Sequence, residues 1–431
     1  MFFSRTGPNS AHPVISKVLS CHRVDVVGWL LVFSVHAVTV IAFPANPTPV
    51  SGEGVYINLA KNLVQHGSYR LDYGAFWHAS GQPYTYVAPG WPFLLSIGYA
   101  VAGLTGCWVI MWLVWCLNSV LADRLASTLG LTNQWRWAFV GWVTLNPLFL
   151  FYHGHLMTES AVIGLNLALT ANGIRLVESP TTWRVILFAA VAAAAHLTRT
   201  QAMLPVIAVW LVAAVTIPWR RMIPLFLLFA VLHVGLLFPW LWRMDHVGGS
   251  QFSTELKLGI NLYQYSGTHV DDPYAPDTGS TLPAGVETLP AGVEMMTPRE
   301  RNRVLTHEAL KQIVREPDKY LKKCLSRSFY LFSPVPNFYQ VGRLQYLAIL
   351  GSSLAFYHAF FVAAVVGLIR RRPWSAGVWL MVVALGVWYA FHIMINASIR
   401  ERLPSDIWIA ALAIVTWAPP AATSARCLSK D

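Results

Sequence analysis

Two carboxylates and three arginines could do chemistry, because each lies at the start of an amphipathic stretch or at an end of a long apolar run. Glu53 opens an amphipathic stretch, and Glu159 stands at the mouth of an apolar run. Arg199, Arg400 and Arg402 lie at the ends of two others. Ionisable groups at membrane depth are costly and usually functional. A guanidinium group binds phosphate oxygens in a bidentate manner, and a carboxylate can act as a general base or a metal ligand. This set indicates a substrate with a phosphate buried near lipid.

Each of these residues also has a plainer interpretation. Glu53 and Glu159 could be helix-starting charges that the helix dipole favours, and the arginines could extend to lipid headgroups. A proton or ion pump, by contrast, would carry charges near the middle of its spans. Such charges are nearly absent from the sequence, so the pattern favours a membrane-embedded transferase over a pump.

Two histidines raise the question of a metal ion. His153 and His155 lie six and four residues before Glu159. A His-x-His pair with a nearby carboxylate could hold a divalent metal. A single pair is weak evidence, so a site without a metal stays open.

The composition predicts a membrane protein. Of the 431 residues, 55% are hydrophobic and only 12% are charged, whereas soluble domains average about 25% charged residues. This excludes a soluble globular enzyme, a disordered protein and a nucleic-acid binder. The formal charge of +11 agrees with the excess of Lys and Arg in the cytoplasmic loops of membrane proteins.

The apolar runs predict an all-α polytopic membrane protein with about 10 transmembrane helices. The run 91–104 is too short to cross and is separated from the next run by Thr105 and Gly106, so we expect a half-inserted juxtamembrane helix. The longer runs are 24–43, 106–126, 135–152, 157–177, 183–199, 203–219, 222–241, 346–369, 374–397 and 406–420.

The distribution of Lys and Arg predicts a cytoplasmic N-terminus and two large outer loops. The first outer loop spans 44–90 and the second spans 242–345. The full expected order is a cytoplasmic N-terminus at 1–23, a transmembrane core at 24–241, the second loop at 242–345, C-terminal transmembrane helices at 346–420 and a cytoplasmic tail at 421–431.

The second loop is predicted to hold two amphipathic helices. Thr297-Pro298-Arg299-Glu300 is typical of a helix start with a capping box, and this helix should run to about Arg315. Glu316-Pro317 should end it. In the next helix, at about 318–331, basic residues alternate with apolar ones, which is typical of a helix on a membrane surface.

Five short stretches carry a resemblance to a known family. They are Glu53–Leu63, which fits Asp/Glu-x-x-Tyr-x-x-x-Ala-x-x-Leu, then Tyr86–Phe93, Leu156–Glu159, Leu197–Arg199 and Arg400–Pro404. In this order they resemble the GT-C integral-membrane glycosyltransferases, especially the bacterial relatives of protein O-mannosyltransferases and of the lipid A aminoarabinose transferase. Many members have Asp or Asp-Glu where this chain has Gly52-Glu53, so the carboxylate would sit differently here.

The resemblance implies a multi-pass enzyme of the cell inner membrane whose active site faces the periplasm. The donor would be a polyprenyl-phosphate sugar, and the acceptor a hydroxyl of a lipid, a glycan or a protein. Glu53 would deprotonate this hydroxyl, which would attack the anomeric carbon with inversion. Glu159 would orient the acceptor or help to ligate a metal.

The other site residues are also implied by the matching stretches. Arg199, Arg400 and Arg402 would stabilise the leaving phosphate. Tyr56, Lys61 and Tyr86 are predicted to bind substrate.

Two other functions remain open. A transporter or flippase for lipid-linked glycans would have pseudo-symmetric halves, and the span pattern shows no obvious repeat. A non-catalytic relative that binds lipid phosphate would have Glu53 directed away from the arginines.

Overall fold

The structure is a computed structural model. It describes residues 12–42, 52–74, 80–247, 253–265, 292–334, 343–371, 373–397 and 399–419. The predicted cytoplasmic tail at 421–431 and residues 1–11 lie outside this range. Within it the fold is helical, with one isolated bridge between Arg70 and Pro83 and no strand.

The helices follow one another with short connections in the first half of the chain. They are α1 (His12–Ala42), α2 (Gly52–His66), α3 (Gly90–Thr128), α4 (Asn133–Leu145), α5 (Pro147–His153), α6 (Glu159–Glu178), α7 (Thr182–Thr198), α8 (Leu204–Thr216) and α9 (Trp219–His246). The remaining helices are α10 (Leu258–Tyr265), α11 (Pro298–Arg315), α12 (Pro317–Leu331), α13 (Arg343–Ser353), α14 (Ala359–Arg370), α15 (Ala376–Ile395), α16 (Ile399–Arg402) and α17 (Asp406–Trp417).

The apolar helices confirm a polytopic membrane fold. Among the described residues, six helices are long and apolar enough to cross a bilayer, namely Asp25–Ala42, Gly90–Thr128, Thr158–Glu178, Trp219–His246, Leu350–Arg370 and Ala376–Ile395. Their surfaces expose large apolar side chains, such as Val101, Val231 and Ile369. Such surfaces suit the acyl chains of lipids. Unlike water, acyl chains form no hydrogen bonds that an exposed apolar side chain would disrupt.

The other predicted spans are helical but shorter or broken. Helices α7 and α8 are apolar and shorter than the six. The run 135–152 is broken at Asn146, whose side chain caps α5 by accepting from the Leu148 amide. The run 406–420 contains α17, which has 12 residues. Ten crossings therefore remain a prediction.

Helix α3 contains a reversal where the sequence predicted a half-inserted helix. Ala102 and Gly103 have non-helical backbone angles, with φ +57° at Gly103. Gly106 lies against Gly98, so that a Cβ atom on Gly106 would stand 1.8 Å from the Gly98 carbonyl oxygen. Eight residues of a straight helix span about 12 Å, so the chain turns back on itself here. The first leg is about 18 Å long at 1.5 Å per residue, too short to cross.

The second-loop helices confirm their predicted boundaries. Helix α11 begins with a capping box between Thr297 and Glu300 and ends at Arg315. Helix α12 then runs from Pro317 to Leu331.

Helix α6 lies at the centre and fixes the position of the polar residues at its start. It packs against α3, α7, α8 and α15, and its apolar side chains are buried. The Asn166 side chain donates to the Pro404 carbonyl oxygen at 3.1 Å, and the Trp408 indole donates to Thr170 at 2.8 Å. These bonds hold α6 against the segment that follows α16.

Candidate active site

Glu159 lies at the first turn of α6 and is fully buried. Its Oε1 atom accepts from Arg199 Nη1 at 2.9 Å and from Arg400 Nε. Its Oε2 atom has no hydrogen-bond partner among the described residues. The structure thus brings together three predicted residues from three distant segments of the chain.

Arg199 joins Glu159 to a second carboxylate. It follows the last residue of α7 in an extended conformation, and its side chain is 15% exposed. Its Nη2 atom donates to both carboxylate oxygens of Glu401, at 2.9 and 2.8 Å. Two arginines therefore pair with two carboxylates in this cluster. Buried charges are tolerated in proteins when they are paired and hydrogen-bonded in this way.

Glu401 is a site residue whose role the sequence did not indicate. Burial acts to raise the pKa of Glu401, but Arg199, His392 and Arg400 together outweigh burial, so that the pKa is lowered. The indole of Trp388 donates to the Glu401 backbone oxygen at 2.9 Å. The Nε2 atom of His392 lies 3.4 Å from Glu401 Oε2. His392 lies inside the apolar run 374–397, and an ionisable side chain within such a run is the signal that could have found it.

Arg400 is the most exposed cation of the cluster, with 31% of its side chain exposed. Among the described residues its ion-pair partner is Glu159, reached through Nε. Burial opposes the charged form, but Glu159, with smaller contributions that include Glu401, raises the pKa of Arg400 well above its ordinary value. No hydrogen bond joins its terminal nitrogens to another described residue, so they are the best-placed donors of the cluster for an anion.

Arg402 is not part of this cluster. Residues two apart on a helix point about 200° apart, and Arg402 accordingly faces the opposite side of α16 from Arg400. It is fully buried, with Nε 3.3 Å from Asp406 and its guanidinium 3.5 Å from the Tyr357 ring centroid. Its Nη1 atom donates to the Leu331 and Ser333 carbonyl oxygens, both at 3.1 Å. The geometry gives no support to its predicted contact with phosphate.

Glu53 lies in the first turn of α2 and is buried. The Nδ1 atom of His155 donates to its Oε1 atom. The His155 side chain is 27% exposed and that of Glu53 only 8%. The histidine is therefore the member of the pair that reaches the protein surface. Among the described residues, Glu53 has His155 rather than an arginine as its partner.

Two tyrosines lie near both the Glu53 pair and the arginine cluster. The Tyr152 ring centroid lies 6.0 Å from that of His155. Tyr152 and the buried Tyr56, one turn after Glu53, lie close enough to Arg400 to affect its pKa, although burial and Glu159 affect that pKa more. The predicted site residue Tyr56 is therefore near the cluster.

Lys61 and Tyr86 have other partners. Lys61 lies 3.9 Å from Asp72, and both side chains are 40% exposed. Tyr86 is buried, and its hydroxyl accepts from Arg301 Nη1 at 2.8 Å. This bond joins the first loop to α11, so Tyr86 has a structural role.

The two histidines of the proposed metal site point to different partners. His153 Nδ1 donates to the Phe149 carbonyl oxygen at 2.7 Å, because a carbonyl can only accept. In the neutral ring Nε2 then accepts from His36 Nδ1 at 2.6 Å, and His36 Nε2 accepts from the Ser119 hydroxyl at 2.8 Å. His155 binds Glu53 instead. In the described part of the chain, no group of three or more His, Cys, Asp or Glu residues could hold a metal ion, so the predicted metal site gains no support.

No protein-family model matches the sequence, and no curated protein matches it. The solved structures that are similar at low sequence identity include two of one protein. ArnT from Cupriavidus metallidurans bound to undecaprenyl phosphate has 13% identity and a TM-score of 0.47, over 91% of this chain and 60% of that one. The same protein in the apo state has 15% identity and a TM-score of 0.38, over 91% of this chain and 78% of that one. The chain thus spans less than two thirds of the first of these structures.

Proposed function

We propose that this chain is a membrane glycosyltransferase of the GT-C type. It moves a sugar from a polyprenyl-phosphate donor to an acceptor hydroxyl of a lipid, a glycan or a protein. The observation that carries this proposal is the partly exposed Arg400, held by the buried Glu159, with the partner of Glu53, His155, only four residues before Glu159. A cation for a leaving phosphate and a carboxylate for a nucleophile thus lie at one end of the helical bundle.

The reaction needs one proton transfer and one displacement. Glu53 takes the proton of the acceptor hydroxyl, and His155 holds the carboxylate in place. The acceptor oxygen forms a bond to the anomeric carbon as the bond from that carbon to the donor phosphate oxygen breaks, with inversion. The phosphate leaves with the electron pair, and its developing charge is stabilised by Arg400.

The two arginines of the cluster have different tasks in this scheme. Arg199 is committed to two carboxylates and is largely buried, so it fixes the geometry of the cluster. Glu159 occupies the Nε atom of Arg400 and thereby orients its terminal nitrogens. Arg400 is therefore the phosphate ligand in our proposal. Arg402, on the opposite side of α16, instead pairs with Asp406.

We place this reaction on the periplasmic face of the inner membrane. The support is the distribution of Lys and Arg along the sequence, which puts the turns carrying Glu53, Glu159 and Arg400 outside.

Transfer by the purified, reconstituted protein tests the proposal. A panel of undecaprenyl-phosphate sugars serves as donors, and the released undecaprenyl phosphate is measured. We expect Glu53→Gln to abolish release while donor binding persists. Glu178→Gln is the matched control, because Glu178 is exposed at the far end of α6. Full activity of the Glu53→Gln protein would remove Glu53 from the mechanism.

A non-catalytic protein that binds lipid phosphate is the second candidate. The observation in its favour is that Glu53 has His155, and no arginine, as its partner in the described part of the chain. This candidate predicts binding of undecaprenyl phosphate without release from any donor of the panel.

A further inference from the structure

Helix α12 has an inverted distribution of polar and apolar side chains. Three of its polar residues face the protein, namely Lys323, Ser326 and Arg327, which are buried. An apolar stripe faces outward and consists of Leu321, Leu325 and Phe329, which are 63%, 53% and 70% exposed. A surface helix in water shows the opposite arrangement.

The buried polar groups fasten α12 to the end of a membrane span. Arg327 Nη1 donates to the Met394 carbonyl oxygen at 3.1 Å, and the Tyr320 hydroxyl donates to the same oxygen at 2.9 Å. Met394 lies in the last turn of α15, one of the six helices long enough to cross a bilayer. Helix α12 therefore lies at the level where this span meets the membrane boundary.

We propose that the apolar stripe of α12 contacts the acyl chains of bilayer lipids. The position at the end of a span brings the stripe to the boundary of the hydrocarbon layer, where an exposed apolar face is stable. Lys319 and Lys322 of the same helix are exposed, and long cationic side chains next to an apolar face can extend to lipid headgroups. The chemistry of this surface therefore fits a phospholipid better than water.

The lipid contact lies next to the candidate active site. The C-terminal end of α12 accepts both hydrogen bonds from Arg402 Nη1, and Arg402 belongs to the same short helix as Arg400 and Glu401. The proposal itself rests on the burial pattern of α12 and on the membrane fold. It does not depend on the transfer reaction.

Fluorescence quenching in vesicles tests the stripe. Leu325→Cys and Phe329→Cys, each in a chain whose native cysteines are replaced by serine, are labelled with the fluorophore NBD. The proteins are reconstituted in phosphatidylethanolamine and phosphatidylglycerol with or without nitroxide-bearing acyl chains. His307→Cys is the matched control, because His307 is exposed on the neighbouring helix α11.

We expect the nitroxide lipids to quench both stripe labels at least twofold more strongly than the control label. Equal quenching at the three positions overturns the proposal. Stripe labels that are shielded from water but not quenched, and whose shielding depends on protein density, indicate a second copy of the chain and also overturn it.

A photocrosslinking residue at position 325 gives an independent result in the chain with all its native cysteines. A crosslinked product heavier by one phospholipid supports the proposal. A crosslinked dimer, or no crosslink at all, contradicts it.

Discussion

Arg199 lies between two buried carboxylates. It donates three hydrogen bonds to them, two to Glu401 and one to Glu159. Glu401→Gln leaves the guanidinium with Glu159 alone. Removing one partner from a buried ion pair costs about 3–5 kcal/mol. We therefore expect a clear drop in the thermal midpoint of the purified protein in detergent. The control Glu178→Gln changes an exposed carboxylate and should leave the midpoint unchanged. Equal midpoints for the two variants would mean that the Arg199–Glu401 pair contributes little.

Arg400 differs from Arg199 because no hydrogen bond to another described residue occupies its terminal nitrogens. Arg400→Ala leaves Glu159 paired with Arg199, so we expect only a modest change in stability. A charge-assisted hydrogen bond contributes about 1.5–3 kcal/mol, so the KM for the polyprenyl-phosphate donor should rise roughly tenfold to a hundredfold. Steady-state kinetics of transfer measure this, with Arg303→Ala as a control at an exposed position of α11. An unchanged KM would assign Arg400 to the lipid headgroups.

At the residue scale, the sequence was most informative where charges interrupt apolar runs. Glu159, Arg199 and Arg400 stood out because a charge at such a position carries a high free-energy cost. In the structure, Glu159 forms ion pairs with both arginines. The same argument could not separate Arg400 from Arg402. Their different directions depend on the rotation of α16, a helix of only four residues that is too short for a periodic pattern.

The reversal in α3 is the feature of the helices that most depends on glycine. The two legs pack backbone to backbone at Gly98 and Gly106, so a methyl group on Gly106 would overlap the Gly98 carbonyl oxygen. We expect Gly106→Ala to lower the thermal midpoint strongly, because backbone atoms cannot move aside as a flexible side chain can. Gly235→Ala in α9 is the control, since a Cβ atom there meets nothing within 4 Å. That change should be neutral or stabilising by up to about 1 kcal/mol. Similar midpoints for the two variants would contradict the close contact.

At the element scale, helix type and helix ends were predictable where local chemistry decides them. The capping box at Thr297 and the end of α11 at Arg315 follow from residues close in sequence. The boundary inside α3 was placed at Thr105 and Gly106, whereas the chain turns at Ala102 and Gly103. Several small residues in this stretch could make the turn, and packing between the two legs selects one of them.

At the scale of the whole molecule, two groups of charged residues lie at opposite ends of the central helix α6. The start of α6 carries the cluster around Glu159, and its other end is surrounded by basic residues. There Arg184 Nη1 donates to the Ser179 carbonyl oxygen at 2.8 Å, and Arg221 donates to the Pro180 carbonyl oxygen. The excess of Lys and Arg near this end is the reason to assign it to the cytoplasm. Sequence alone could propose this polarity, but only the fold shows that the cluster and the basic end lie at opposite ends of α6.

This polarity gives a prediction for the orientation of the protein in the membrane. Ser179→Cys places a thiol at the exposed basic end of α6, and His307→Cys places one on the exposed side of α11, both in the chain without its native cysteines. In intact cells, a membrane-impermeant maleimide should label position 307 at once and position 179 only after the inner membrane is permeabilised. Labelling of position 179 in intact cells, with position 307 protected, would put Glu53 and Arg400 on the cytoplasmic side. A periplasmic transfer reaction would then be impossible, whereas the ion pairs and the lipid contact of α12 would still hold.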